Sequence, residues 1–266
     1  MTKRKQNVLV LDVGGTNVKV IDSRHTEPVK IPSGPAMSAS LMVAEVKKAT
    51  EGWSPTAVSI GYPGIVFRGK PVTEPHNLAP GWVDFDFETA FGCPVRIVND
   101  AAMQALGSYE GGRMLFLGFG TGLGSAMIVE GILAPMELAH LPYRKGRTFE
   151  DYVGQRGLLR LGKNKWRRHV EAVIAELRTA LEAEYVVLGG GNTKFLDLKA
   201  LNSETPEREN SDGLPQGVRL GGNSNAFLGG FRLWESATWK ASADGEPEAL
   251  APGAVAKAKR AARKAR

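Results

Sequence analysis

Three short groups of residues have types and spacing suited to chemistry. Leu11-Asp12-Val13-Gly14-Gly15-Thr16-Asn17 and Leu117-Gly118-Phe119-Gly120-Thr121-Gly122-Leu123-Gly124 each follow an apolar, strand-like run, about one hundred residues apart. Glycine lacks the side chain that would keep a phosphate away from backbone N–H groups, and Thr16, Asn17 and Thr121 add donors of their own. Between the two, after a third apolar stretch, stands Asn99-Asp100. Two such turns suit a chain of phosphates gripped from both sides of a cleft. A carboxylate between them suits the orientation and deprotonation of an acceptor hydroxyl. The pattern points to a phosphotransferase.

Each group also has a plainer reading. Asp12 ends a strand, where it would hold Mg²⁺ through water or orient the reacting phosphate, or merely form a hairpin turn with its glycines. The turn lacks the Gly-Lys-Ser/Thr ending of a Walker loop. The alternating glycines around Thr121 invite a dinucleotide reading, which weakens because a strand-like segment follows them instead of a long helix. Asp100 opens a helix, whose N-terminus favours the ionised carboxylate, while Asn99 and Asp100 equally suit an ordinary helix cap. Glu137 and His140 are spaced i, i+3, and Glu150 lies ten residues beyond His140. Carboxylates beside an imidazole suit a polyol, and they are a weak zinc set because no cysteine stands near. Asn77 and Trp82 offer a hydrogen bond and an apolar wall, with ordinary packing the stronger reading for Trp82.

The elements that must position these residues alternate between strand and helix. Asn7–Ile21 reads as strand, glycine turn, strand, and Met114–Val129 repeats that plan. Met37–Thr50 reads as an amphipathic helix with Leu41, Met42, Val46 and Ala49 on its apolar face. Ala57–Ile60 is a short strand ending at a Gly61–Gly64 turn, and Val95–Val98 is another strand running into a helix from Asp100. Lys165 to Glu184 forms a long helix with Trp166, Val170, Val173, Ile174, Leu177 and Leu181 on one face. It leads to Tyr185–Leu188 and Gly189-Gly190-Gly191. A polar stretch of low structural content follows, then a last short helix over Asn225–Trp234. This is an α/β pattern with layers on both faces of a sheet. The repeat divides the chain into lobes at 1–110 and 111–236, followed by a disordered basic tail at 237–266.

Composition narrows the class. The chain has 266 residues, 42% hydrophobic and 23% charged, ordinary values for a globular enzyme. Its apolar runs are too short to span a membrane, and the N-terminus does not read as a secretory signal. The single cysteine, Cys93, excludes an intrachain disulfide and fits a reducing cytoplasm. The net charge of +6 equals the six cations among the last ten residues, Lys257, Lys259, Arg260, Arg263, Lys264 and Arg266. A basic tail on a neutral body does not imply sequence-specific nucleic-acid binding.

Taken in order, Asp12-Val13-Gly14-Gly15-Thr16, Gly61-Tyr62-Pro63-Gly64, Asn99-Asp100-Ala101, Leu117 to Ser125, Glu137-Leu138-Ala139-His140-Leu141 and Leu188-Gly189-Gly190-Gly191 resemble the ROK family of sugar kinases, closest in flavour to bacterial polyphosphate glucokinases. The resemblance spans about residues 7–234. It implies a two-lobed, actin-like fold of the hexokinase and ribonuclease H-like type. Asp100 would be the catalytic base, and Gly64, Asn77, Asn99, Glu137, His140 and Glu150 would surround the hexose, with glucose the expected substrate. Asp12, Gly14, Gly15, Thr16, Asn17, Gly120, Thr121 and Gly122 would bind the phosphates of ATP or polyphosphate with Mg²⁺. Gly190 and Gly191 would lie near a nucleoside. Structural zinc is not expected, since His140 stands without the family's three cysteines. Relatives are often dimers, which makes a homodimer the expected assembly.

Overall fold

The computed structural model describes residues 6–202, 208–209, 215–222 and 224–234, and the tail at 237–266 lies outside them. Apolar β-branched runs build two sheets. The first contains β1 (Val8–Val13), β2 (Asn17–Asp22), β3 (Val29–Pro32), β4 (Ala57–Tyr62) and, past a two-stranded hairpin of β5 (Val66–Phe67) and β6 (Lys70–Pro71), β7 (Val95–Asn99). The second contains β8 (Arg113–Phe119), β9 (Leu123–Val129), β10 (Ile132–Met136), β11 (Tyr185–Gly189), β12 (Arg208–Glu209) and β13 (Pro215–Leu220). Every residue of β4 is buried, as a central parallel strand covered on both faces requires.

The two sheets share one plan. Their orders are β3-β2-β1-β4-β7 and β10-β9-β8-β11-β13, with β12 added at the second sheet's edge. In each, three antiparallel strands come first in sequence, and two parallel strands extend the far side. The two glycine turns therefore occupy the same topological position, one joining β1 to β2 and the other β8 to β9. The strand-turn-strand repeat expected from sequence is present. The strands β3, β10 and β13 were not anticipated. Polar or Pro-containing residues break their apolar alternation, and neighbouring strands recruit them to the sheet.

Among the described residues eight α-helices complete the layers: α1 (Ala39–Ala49), α2 (Phe87–Phe91), α3 (Asp100–Ser108), α4 (Phe149–Val153), α5 (Gln155–Leu161), α6 (Lys163–Ala180), α7 (Leu198–Leu201) and α8 (Asn225–Arg232). One apolar cluster joins α1 to the outer face of the first sheet, and another joins α4, α5 and α6 to the second. A third fills the space between the sheets, where α3 and α8 meet β1 and β8. In α1 the buried face is Ala39, Met42, Val43 and Val46, so Leu41, expected inside, points out at 41% exposure, and Ala49, also expected inside, is exposed. The long helix α6 starts two residues early and ends at Ala180, and Trp166, Val170, Val173, Ile174 and Leu177 are buried as expected.

Glycine sets the approach of α3 to α8. A Cβ on Gly107 would stand 1.8 Å from Asn225 O, and one on Gly229 1.7 Å from Met103 O, so neither position admits a side chain. The C-terminal end of α8 returns to the first sheet. Ser59 on β4 donates its hydroxyl to Gly230 O at 2.6 Å and accepts from Trp234 Nε1 at 2.8 Å.

Candidate active site

Asp12 ends β1, and the β1–β2 register places Lys19 directly opposite. Lys19 Nζ lies 3.1 Å from Asp12 Oδ2. The turn between them closes on itself, with Gly14 N–H donating to Asn17 O at 3.0 Å. Ser33 braces it from β3's end, donating its hydroxyl to Gly14 O and its N–H to Thr16 O. Gly15 and Thr16 are left exposed at the tip. A Cβ on Gly15 would come within 3.1 Å of Asn77 Cβ, so the loop carrying Asn77 lies against the first turn. That loop is fastened by Glu74, whose carboxylate accepts the N–H groups of Gly81, Trp82 and Val83. Desolvation opposes ionisation of Glu74, but these three donors outweigh it and lower its pKa. Trp82 is fully buried against Tyr62 and Phe87, in agreement with the packing role expected of it.

Asp100 stands where β7 gives way to α3. Asn99 is the helix cap, its Oδ1 accepting the N–H groups of Ala101 and Ala102, while its Nδ2 donates to Gly64 O at 3.1 Å. One amide hydrogen of Asn99 remains beyond that bond for a further acceptor. Asp100 Oδ1 accepts Ala101 N–H at 2.7 Å. Burial pushes the Asp100 pKa up to about 6, against the pull of the Ala101 N–H, and the negative charges of Asp12 and Glu137 push the same way. The carboxylate is thus mostly ionised at pH 7 yet basic enough to take a proton. Burial also raises the pKa of Glu137, with His140 lowering it and Glu150 raising it.

These electrostatic couplings join residues far apart in sequence: Asp12 and Glu137 act on Asp100, while His140 and Glu150 act on Glu137. The turn Leu138–His140 carries His140 at the end of the short segment after β10. Glu150 lies in α4, whose start is fixed by a capping box between Thr148 and Asp151. Its Oε2 would be 2.2 Å from a Cβ on Gly122, and it accepts Leu123 N–H at 3.4 Å. Glu150 Oε1 is 3.2 Å from Arg156 Nη2.

The second glycine turn is held from behind. Gly120 O and Thr121 O both accept the Gln155 N–H at 3.1 Å, and Asn192 Nδ2 donates to Gly120 O at 3.0 Å. Thr121 is exposed. Gly190 has φ +86° and packs so closely that a Cβ would lie 2.3 Å from Phe119 O. With Gly189 and Gly191 it lines a cleft of about 260 Å³ that Asp12 and Lys19 enter from the first sheet. The same cleft takes Gln104, Gly221, Gly222 and Asn225.

Sequence reading passed over Lys19, Gln104, Gly221, Gly222 and Asn225. For Lys19 a signal existed: a hairpin turn centred on Gly14 and Gly15 pairs the lysine with Asp12 by counting. Gln104 comes from α3, and Gly221, Gly222 and Asn225 from the β13–α8 connection and the start of α8, whose relation to the first turn depends on long-range pairing. Among the described residues no group of three or more His, Cys, Asp or Glu is arranged to hold a metal ion. None of the described helices is long and apolar enough to cross a membrane.

Two related sheets with a helix layer between them and paired glycine turns give the two-lobed, actin-like α/β fold. Residues 8–135 match the model of the ROK family. The polyphosphate glucokinase of Mycobacterium leprae (strain TN) is 26% identical over 222 residues, covering 76% of this chain and 65% of its own length. The polyphosphate glucokinase of Mycobacterium tuberculosis (strain CDC 1551 / Oshkosh) is 28% identical over 226 residues, 74% of this chain and 82% of its own. Among solved structures, an inorganic polyphosphate/ATP-glucomannokinase from Arthrobacter sp. strain KM aligns with a TM-score of 0.66 at 23% identity, covering 85% of this chain and 97% of that one. A ROK family glucokinase from Streptomyces griseus, in complex with glucose and AMPPNP, aligns with a TM-score of 0.64 at 18% identity, covering 85% and 98%. The chain resembles the ROK family over residues 8–135, and it shares the fold of these solved structures.

Proposed function

We propose that the protein transfers the terminal phosphoryl group of ATP or inorganic polyphosphate to the 6-hydroxyl of a hexose, glucose first among them. The observation that carries this reading is Asp100: a carboxylate with its pKa near 6, electrostatically coupled to both Asp12 and Glu137. Asp100 would orient the hydroxyl and take its proton as the new P–O bond forms. Glu137, His140, Glu150, Asn99, Asn77 and the Gly64 backbone would bind the sugar, because a polyol needs both donors and acceptors. Gly14, Gly15, Thr16 and Asn17 would bind the donor from one side, and Gly120, Thr121 and Gly122 from the other. Gly190 and Gly191 would adjoin a nucleoside when ATP is the donor.

The residues fit Mg²⁺ in its usual mode, in which one or two carboxylates and the substrate phosphates hold an ion that keeps several waters. Asp12 supplies such a carboxylate, 17% exposed and already facing a cation in Lys19. Bound there with the donor, Mg²⁺ would neutralise phosphate charge. The lobes, divided near residue 110, would close to keep out water that competes for the phosphoryl group. We also propose a cytoplasmic setting and a homodimer, in keeping with the single cysteine and with the family.

The test is phosphate transfer with Mg²⁺, running ATP and polyphosphate side by side against glucose, mannose, fructose and N-acetylhexosamines. Glucose 6-phosphate from either donor supports the reading. Product from another sugar alone replaces glucose, and binding of sugar with no product from any donor would make the protein a non-catalytic binder.

A further inference from the structure

Outside the site, three arginines from separate segments gather around one histidine. Arg144 lies with its guanidinium 5.0 Å over the Tyr143 ring, and the Tyr143 hydroxyl is 3.2 Å from His169 Nδ1. Arg160 of α5 lies 5.0 Å over the Tyr152 ring, which packs edge-on against the same histidine at 4.6 Å. Arg168 adjoins His169 in α6. The aromatic faces hold the two stacked guanidiniums at fixed places, which flexible surface cations ordinarily lack. All three arginines are exposed, and among the described residues none forms an ion pair with a carboxylate within 4.0 Å. Burial and the charges of Arg144, Arg160 and Arg168 together lower the pKa of His169, as expected where positive potential accumulates.

The cluster is connected to the second glycine turn by α5. Gln155, first in that helix, donates its N–H to Gly120 O and Thr121 O. Arg156 follows beside Glu150, and Arg160 comes one turn later, about 6 Å further along the axis. Arg160, with Arg144 and Arg168, therefore lies further along α5 from the turn, beyond Arg156, whose charge Glu150 and Asp151 offset. The neighbouring cations Lys163 and Lys194 lie over the Phe195 ring, and Arg167 donates to Phe195 O, so they form a separate group on the other side of α6's start.

We propose that Arg144, Arg160 and Arg168 form an anion site for the distal part of a long inorganic polyphosphate whose reacting end lies at the Gly120–Gly122 turn. Phosphates beyond those held at the turn would engage the three arginines, so the site would favour the longer donor without altering the chemistry at Asp100. The use of the bound chain in transfer rests on the phosphotransferase reading; its binding does not.

The experiment compares the wild-type chain with Arg144→Gln/Arg160→Gln/Arg168→Gln, using Lys47→Gln/Lys48→Gln on α1 as a control for lost surface charge. Titrations with long-chain sodium polyphosphate and with tripolyphosphate are run over a range of salt, and ATP-driven turnover is measured beside them. The triple variant is expected to lose tenfold or more, on the order of 1.4 kcal/mol, in affinity for the long chain. Its salt dependence should become shallower, with tripolyphosphate binding and ATP turnover unchanged. Unchanged long-chain affinity in the triple variant, an equal loss in the α1 control, or no long-chain binding by the wild type would overturn the proposal. So would tighter binding of an RNA of equal charge. Long-chain binding that depends on the three arginines, in a protein that phosphorylates no sugar, would sink the kinase reading and leave the anion site standing.

Discussion

The two glycine turns hold the same place in two sheets of the same strand order, yet they are chemically different objects. The first carries its own carboxylate, Asp12, and a lysine opposite it, and its tip is packed against Asn77. The second has no acidic residue of its own. Its Gly122 is instead covered by Glu150, brought over from α4, while Gly120 faces open space. The difference suggests a division of labour. On the proposed reading the first turn would join metal and phosphate, and the second would be shared between phosphate at Gly120 and the sugar-side carboxylate at Gly122. Asp100 lies between them, coupled to the charges of Asp12 and Glu137.

The largest expected effect comes from the residue both regions depend on. Asp100→Asn should cut turnover by about 10²–10⁴-fold, the usual contribution of a general base. The same change should stabilise the fold. A carboxylate whose native pKa is about 6, above its ordinary 3.8, holds its proton more tightly folded than unfolded. Its contribution to stability therefore falls as pH rises from about 4 to about 6 and stays unfavourable above that. Removing it should raise stability at pH 7.5 by up to about 3 kcal/mol, with no gain at pH 3.5, as read by thermal melts. In the wild type, turnover should fall as pH drops through about 6, because the protonated acid cannot accept the hydroxyl proton. A melt unchanged at pH 7.5 would show that burial does not strain this carboxylate.

Next in size is Gly190→Ala. The position has φ +86° and a backbone oxygen where the new methyl would go, so the fold should lose at least about 2 kcal/mol. Gly122→Ala separates the functions of the second turn. The methyl would displace the Glu150 carboxylate, so the KM for sugar should rise about tenfold and the donor KM by clearly less, a modest loss of binding energy. Equal effects on both substrates would remove the division of labour from this turn. Gly120→Ala should be the mildest. With nothing within 4 Å, stability should stay within about 0.5 kcal/mol, and a rise in the donor KM alone would mark this glycine as the one phosphate approaches.

Much of this architecture was legible in the sequence because local chemistry decides it. The strand-turn-strand units show as β-branched runs broken by glycine, and Asn99 reads as the cap it is. The helical face of α6 follows from periodicity alone, while α1 misled because its buried stripe runs through Ala39, Met42, Val43 and Val46 and leaves Leu41 and Ala49 outside. What stayed hidden depends on pairing at a distance. β13 is recruited by β11, and only that pairing brings Gly221, Gly222 and Asn225 to the cleft. The cationic residues show the same limit. The sequence presents Arg144 to Arg147 and Lys163 to Arg168 as two runs. The fold sorts them differently, placing Arg144 with Arg168 and adding Arg160, and turning Lys163 and Arg167 toward Phe195.

The most direct measurement is hexose 6-phosphate formation at pH 7.5 by wild-type and Asp100→Asn protein, with Mg²⁺ and both ATP and polyphosphate. The account predicts product from the wild type and a loss of about 10²–10⁴-fold in the variant, whose fold and sugar binding persist. Equal turnover by the two proteins, or no product from the wild type with any hexose and either donor, would contradict it.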